Sequence, residues 1–225
     1  MLLPMRFPAP LTIAVRFMAR GLRRDAADDK SGPMPESRPP IHVAGRSLAE
    51  LAKAIDGKSL PPVDQWNPEH CGNSEMRIAA DGTWYHMGSP IGRPAMVRLF
   101  STVLRREPDG SHVLVTPVEK LRIEVDVTAF RAIAMTSEGE GEQRRIAFEL
   151  DSGDALILGP EHPLTVIEDE HGPSPRIAVR HGLEALVARP LYYDLAAIAL
   201  AEGPSNPKGW PPGVWSGGIF FKLAP

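Results

Sequence analysis

Lys120-Leu121-Arg122-Ile123-Glu124-Val125-Asp126-Val127 is the stretch that decides the fold. Four apolar residues alternate there with Arg122, Glu124 and Asp126. Successive side chains of an extended chain point to opposite faces, so the run is a strand with one dry face and one wet face. Its neighbours continue in kind. Residues 112–116, 130–136, 144–150, 154–158 and 164–168 are short apolar-rich runs separated by turn residues, and residues 176–187 read as a hairpin. A helix at 190–202 closes the array, with Leu191, Leu195, Ile198 and Ala199 at helical spacing.

Upstream of Pro108-Asp109-Gly110 the period is helical, and the change predicts a boundary between a domain at 46–108 and one at 109–225. Ser47 with Glu50 three residues on has the form of a capping box, ahead of an apolar face of Leu48, Leu51, Ala52 and Ile55. Residues 76–87 read as a hairpin about Asp81-Gly82, a dipeptide suited to a two-residue turn with positive φ. Such a turn pairs Ile78 with Tyr85, Arg77 with His86 and Met76 with Met87. Arg77, Ala79, Trp84 and His86 then share one face, and Met76, Ile78, Ala80, Tyr85 and Met87 the buried one. Gly92-Arg93-Pro94 starts a second helix with Met96, Leu99, Phe100 and Val103 toward the core, ending near Arg105 and Arg106. The expected fold class is α+β: a small N-terminal helix, hairpin and helix domain, then about seven antiparallel strands closed by a helix, the element order of pleckstrin-homology-like domains. Residues 213–221 are too apolar for a free end and are expected to dock as a strand, with Trp215 and Phe220 buried.

The chain has 225 residues, 43% apolar and 24% charged, which suits a folded protein, and its 24 prolines and 20 glycines favour turns over long helices. The formal charge of −3 conceals five arginines and no acid in the first 24 residues. That leaves −8 on the remainder, with no broad basic surface for a nucleic-acid polymer. One cysteine supplies neither an internal disulfide nor a thiolate cage for zinc, which fits a cytoplasmic protein. No run approaches the roughly 20 apolar residues that cross a bilayer, so no membrane is expected. Residues 1–45 read as a disordered or non-native leader and linker: Arg16 and Arg20 interrupt any signal-peptide core, and residues 25–40 are Pro-rich and lack apolar period.

An internal echo points to duplication. Met-Arg-Ile-Ala at 76–79, Gly82 and Arg93-Pro94 with its helix are matched by Pro-Arg-Ile-Ala at 175–178, Gly182 and Arg189-Pro190 with its helix. The chain also carries Trp66-Asn67-Pro68, Cys71-Gly72, Met76-Arg77-Ile78, Asp81-Gly82-x-Trp84-x-His86-x-Gly88-x-Pro90-Ile91-Gly92-Arg93, Leu99-Phe100-Ser101, Thr116-Pro117-Val118-Glu119-Lys120 and Trp215-Ser216-Gly217-Gly218. On these motifs, residues 46–222 resemble the bacterial domain-of-unknown-function family numbered 1285. The resemblance implies a two-domain α+β fold with an internal duplication and a C-terminal domain similar to pleckstrin-homology folds. It further implies a nucleotide-like ligand at the domain interface and a role in signal transduction or stress response, and it brings no enzyme activity.

The candidate ligand-binding residues are Arg77, Trp84, His86, Arg93, Glu119 and Lys120. A guanidinium offers a bidentate fork to phosphate or carboxylate, an imidazolium adds a second cationic donor, and Trp84 can stack on a base. Arg93 stands at a helix start, where backbone N–H groups favour an anion, and the proline-stiffened link at 116–120 presents Glu119 and Lys120. A solvated cross-strand pair, a proline-fixed helix start and an ordinary surface turn account for the same residues without a ligand. Two other classes stay open. One is a hydrolase of phosphate or acyl esters, with His86 as general base or Cys71, beside His70, as nucleophile; the other is an interaction module that takes a peptide along a sheet edge. The histidines lack His-x-x-x-His and His-x-His spacing, and no Walker, dinucleotide or Gly-x-Ser-x-Gly motif occurs, so neither a metal nor a cofactor is expected. The expected partners are a small nucleotide-like anion and a signalling protein, with Arg77, His86 and Lys120 lining a crevice between the domains.

Overall fold

The computed structural model describes residues 40–42, 45, 47, 48, 50, 60–170, 172–203 and 211–224, which belong to a compact unit running from Ser37 to Pro225. Residues 1–39 and most of the helix expected after Ser47 lie outside the described residues. The start of that helix has the expected cap: the Ser47 N–H donates to Glu50 Oε2 at 2.9 Å, and the Glu50 N–H reaches the Ser47 hydroxyl at 3.4 Å. Leu48 is buried in a cluster with Ile41, Ala147 and Ala155.

Two six-stranded sheets dominate the described residues. In the first, β1 (Cys71–Ile78), β2 (Trp84–His86), β3 (Ser89–Pro90), β4 (Leu104–Arg106), β5 (His112–Val115) and β6 (Lys120–Val125) lie in the order β3-β2-β1-β6-β5-β4. In the second, β7 (Phe130–Glu138), β8 (Arg145–Leu150), β9 (Ala155–Ile157), β10 (Leu164–Asp169), β11 (Gly172–Arg180) and β12 (Leu183–Val187) lie in the order β10-β11-β12-β7-β8-β9. Counted from its own first strand, each sheet reads 3-2-1-6-5-4, with strands 1 and 6 parallel at the centre. Helix α1 (Pro94–Thr102) links β3 to β4, whereas α2 (Arg189–Glu202) follows β12. The protein is thus α+β with an apparent duplication of a six-stranded unit. The short echo between 76–79 and 175–178 is not its trace, because it falls on β1 at the centre of one sheet and on β11 beside the edge of the other.

The change of period at 108–110 falls inside the first sheet, since β5 and β6 return to pair with β4 and β1. The second helix ends at Thr102, and Arg105 and Arg106 lie on β4 rather than on its last turn. The second half is a mixed sheet and not an antiparallel array, because β12 runs parallel to β7. Alternation reveals the faces of a strand and is silent on its direction. The tail forms a hairpin, β13 (Gly213–Ser216) and β14 (Ile219–Lys222), turned by Gly217 and Gly218 at positive φ. Val214, Phe221 and Leu223 are its buried apolar side chains, while Trp215 and Phe220 pack edge to face at 5.3 Å on the other, half-buried side. The Ser216 hydroxyl fastens the hairpin, donating to the Leu158 carbonyl at 2.7 Å and accepting from the Ile146 N–H at 3.0 Å.

β1 and β2 pair Ile78 with Trp84, Arg77 with Tyr85 and Met76 with His86, one residue away from the expected register. Their turn has three residues, Ala80 to Gly82, closed by the Gly82 N–H on the Ala79 carbonyl at 2.9 Å and the Ala79 N–H on the Thr83 carbonyl at 2.9 Å. Gly82 is left-handed at φ +87 and Asp81 is not, so this is a type I turn followed by a left-handed glycine. The Asp81 carboxylate accepts the Thr83 N–H at 2.9 Å, which holds its carboxyl below the usual range. A slip of one residue exchanges faces. Trp84 therefore joins Met76 and Ile78 in the core and stacks on Phe100 of α1 at 6.3 Å, whereas Tyr85 joins Arg77 on the open face. The two-residue left-handed turn is instead Met87-Gly88, between β2 and β3.

Several contacts join the halves. Arg131 of β7 donates through Nη1 to the Ala80 carbonyl at 2.5 Å, so the β1–β2 turn rests on the second sheet. Arg180 of β11 lies 5.0 Å over the Phe130 ring and donates through Nη2 to the Ser101 carbonyl of α1 at 3.0 Å. The Arg106 N–H reaches the His181 carbonyl at 3.1 Å, and His181 Nδ1 meets Asp64 Oδ2 at 2.6 Å. At Gly82 an added Cβ would lie 2.7 Å from Asp151 Oδ2 and 3.0 Å from Arg131 Cδ. Gly82→Ala is therefore expected to lose about 2–3 kcal/mol, against about 1 kcal/mol for Gly88→Ala, where φ is +77 but the space is open. Urea midpoints of the two variants check this, and equal losses would mean that the turn does not bear on the second sheet.

Candidate functional site

The residues expected to form a site do not converge. Arg77 lies on the open face of the first sheet, where Nε and Nη2 donate to Asp126 Oδ1 and Oδ2 at 2.8 and 2.6 Å. That bidentate pair holds the guanidinium protonated and the Asp126 carboxyl below its usual range. With Asn73, Glu75, Tyr85 and Glu124, Arg77 borders a hollow of about 350 Å³. Glu75 sits there at φ 56, in the bulge that lets β1 advance from Asn73 to Arg77 while β6 advances from Arg122 to Glu124. Trp84 is buried, and His86 is half-buried opposite Met76. Arg93 is exposed as the N-cap residue of α1. Glu119 is buried, with its N–H on the Thr116 hydroxyl at 3.2 Å. Lys120 pairs with Cys71 at the far end of β1 from Arg77, and Cys71 is exposed.

Lys120 belongs to a network that fixes the segment before β1. Arg105, buried on β4, donates to Glu107 Oε1 at 2.7 Å, to the Val63 carbonyl at 2.6 Å and to the Trp66 carbonyl at 3.0 Å. Lys120 Nζ meets the other Glu107 oxygen at 3.3 Å. Burial disfavours the Glu107 carboxylate, yet the hydrogen bonds from Arg105 and Lys120 outweigh it and hold the carboxyl below its usual range.

A larger cavity, of about 440 Å³, lies where the halves meet. Ala80 of the turn and Val127 reach it from the first half, and Arg131, Ser174, Leu186, Arg189 and Tyr193 from the second. Strand register gathers them. Leu186 pairs with Arg131 across β12 and β7 and with Arg176 across β12 and β11, so Arg131, Leu186 and Ser174, two residues before Arg176, project from one face of the second sheet. The opposite face, with Phe130, Ala132, Ile177 and Ala185, is core. Helix α2 starts beside the cavity with Ala188 as N-cap residue and no side-chain cap. Ser174 is 4% exposed, and its hydroxyl has no partner among the described residues. Behind Arg131 lies Asp151, whose Oδ1 accepts the Arg131 N–H at 3.1 Å; burial pushes its carboxyl up to about 6 in spite of that bond and of the nearby guanidinium. The Tyr192 hydroxyl donates to the Leu223 carbonyl, so the tail braces α2. Nothing in the local pattern marks Arg131, which sits in an ordinary strand. Ser174 carries a weak signal in Pro173-Ser174-Pro175, since two prolines are unusual within a strand. Among the described residues no three His, Cys, Asp or Glu side chains gather to hold a metal ion, and no helix is long and apolar enough to cross a membrane.

Sequence profiles agree with this division. Residues 61–128 match the N-terminal domain of DUF1285, a domain of unknown function, and residues 129–223 match the C-terminal domain of the DUF1285 proteins of unknown function. The chain belongs to the DUF1285 family. The two matches meet in the link between β6 and β7, so each holds one sheet. The fold is similar to the crystal structure of a DUF1285 family protein from Silicibacter pomeroyi DSS-3, at 40% identity over 80% of this chain and 96% of that one, with a TM-score of 0.67. A DUF1285 family protein from Shewanella baltica OS155 matches at 19% identity over 55% of this chain and 91% of that one, with a TM-score of 0.43. No curated protein matches the sequence.

Asp151 gives the region a pH signature. Its carboxyl is raised from 3.8 to about 6, so the folded state binds the proton more tightly than the unfolded chain. The associated stability is full below about pH 4 and is lost as the pH rises through about 6. The stability of Asp151→Asn minus that of the wild type is expected to grow by roughly 2 kcal/mol between pH 4 and pH 7.5 in urea unfolding. A constant difference would show that Asp151 ionises as readily folded as unfolded.

Proposed function

We propose that this protein is a non-enzymatic binding protein that holds a small anionic, nucleotide-like ligand in the crevice between its halves. It would relay occupancy to a protein partner in bacterial signal transduction or stress response. The observation that carries the proposal is the cavity of about 440 Å³ in which two arginines, a buried hydroxyl with no partner among the described residues and an apolar floor face one another. Its size suits a small molecule, and its few polar groups suit an oriented one. Tyr193, 64% exposed at the mouth, offers a face on which a base can stack. Arg131 also carries the Ala80 carbonyl, so a ligand that draws on its guanidinium bears on the contact between the halves. A cytoplasmic setting, and a pleckstrin-homology-like role for the second sheet with its closing helix α2, belong to the same proposal.

Thermal-shift measurements on the full chain with mononucleotides, cyclic mononucleotides and dinucleotide second messengers at millimolar concentration test it. A rise in Tm of several degrees with one class is expected, and its loss in Leu186→Trp, whose larger side chain fills the cavity floor. No rise with any compound, or a rise that persists in Leu186→Trp, would sink the proposal.

A further inference from the structure

We infer, resting on the reading of the crevice as a ligand site, that Ser174 selects its ligand: the hydroxyl bonds a neutral polar atom at one end of a flat body, while Arg131 holds an acidic group at the other. Ser174 is 4% exposed and borders the cavity, and its Oγ has no partner among the described residues. A serine hydroxyl both donates and accepts, and one buried this deeply is ordinarily hydrogen-bonded. Its chain neighbours, Pro173 and Pro175, bring no N–H to the same place, and Ile167, opposite it on β10, is apolar. The bond offered there is a single neutral one. An anion placed on it would exchange its water for one hydrogen bond, whereas a hydroxyl, carbonyl or amide is satisfied at little cost. Asp169 and Arg189 also border the cavity, one charge of each sign, but both are held by interactions of their own and neither serves as a donor or acceptor for the ligand.

Arg131 supplies the charge. Its Nη1 donates to the Ala80 carbonyl at 2.5 Å, a neutral partner that fixes the guanidinium without cancelling its charge. Asp151 and Asp81 act on it from longer range, and among the described residues it makes no ion pair. A guanidinium has five N–H donors, so the bond to Ala80 leaves others for a carboxylate, a sulfonate or a phosphate.

Strand register sets the separation of the two groups. Arg131, Leu186 and Arg176 stand in one row across β7, β12 and β11, and Ser174 lies two residues along β11 on the same face. At about 4.8 Å per strand and about 3.3 Å per residue, the Cα atoms of Arg131 and Ser174 are roughly 12 Å apart. Leu186 forms the floor between them, and Tyr193 stands at the mouth. A rigid ring system with an acid at one end and a neutral polar atom at the other fits this spacing. A nucleoside monophosphate has that form, with its phosphate at one end and a base edge at the other. A fatty acid leaves the Ser174 hydroxyl without a partner, and a dicarboxylate sets a charge on it.

Fluorescent naphthalenes that share one rigid body test this on the full chain: 2-naphthoate, 6-hydroxy-2-naphthoate, the methyl ester of the latter, and naphthalene-2,6-dicarboxylate. The hydroxynaphthoate is expected to bind about five-fold more tightly than the naphthoate, the worth of one neutral hydrogen bond. That advantage should vanish in Ser174→Ala, and naphthoate binding by the same variant reports that its crevice is intact. The ester, which lacks the charge, and the dicarboxylate, which sets a second one on Ser174, should each bind about ten-fold more weakly than the hydroxynaphthoate. Leu186→Trp should abolish binding of every probe. Equal affinity for naphthoate and hydroxynaphthoate, an advantage that survives in Ser174→Ala, or binding of the ester or the dicarboxylate as tight as that of the hydroxynaphthoate would overturn the inference, and loss of that binding in Leu186→Trp would leave the crevice as a site. Binding of no probe, or binding indifferent to Leu186→Trp, would remove the site itself.

Discussion

The β1–β2 turn resting on Arg131 and Asp151 is the contact on which the rest of this structure depends. It needs a left-handed residue without a side chain at Gly82, because a Cβ there would press on both partners. It needs three residues and not two, because only then does the Ala80 carbonyl face the Arg131 guanidinium at 2.5 Å. The length of the turn sets the register, and the register sends Trp84 inward to Phe100 and turns Tyr85 out beside Arg77. The crevice exists because the same turn forms its rim. A half-buried carboxyl raised to about 6 lies directly behind that rim, so the junction of the halves carries a group that titrates as the pH approaches neutral.

Duplication explains why the crevice has a helix end in it. Both sheets follow the same order, with a parallel pair at the centre and a meander on either side. In the first unit the helix is inserted between the third and fourth strands, where Phe100 is used to cover Trp84. In the second the helix follows the sixth strand, so it leaves the sheet beside Leu186 and opens its first turn toward the space between the units. The two helices start alike, with Arg-Pro, but serve different ends. Several of the most distinctive sequence motifs meanwhile have structural tasks: Trp84 is core, Glu119 is buried beside Thr116, and Lys120 joins Arg105 and Glu107 in holding the segment that carries Trp66.

Much of this was legible in the chain, and the rest was not for physical reasons. Alternation in Leu121, Ile123 and Val125 marks β6, and the apolar spacing of Leu195 and Ala199 marks α2, because burial of one face leaves a period. Direction and partner leave none, which is why the parallel pairing of β12 with β7 could not be read and a mixed sheet looked antiparallel. Asp81-Gly82 announces a turn but fits both a two-residue and a three-residue one, and that single ambiguity misplaced Trp84 and His86 relative to Arg77. Arg131, Ser174 and Leu186 are far apart in the chain and become neighbours only through two strand pairings. No local pattern can announce a site assembled in that way, whereas Arg77 and His86 were conspicuous because they stand on one hairpin.

The most direct test is a chemical-shift map of the amide resonances of the isotope-labelled protein as 8-anilinonaphthalene-1-sulfonate is added. If the crevice is the site, the resonances that move belong to Ala80, Arg131, Ser174, Leu186 and the first turn of α2, on both halves of the chain. Movement confined to Asn73, Arg77 and Tyr85, around the hollow on the open face of the first sheet, would contradict the account.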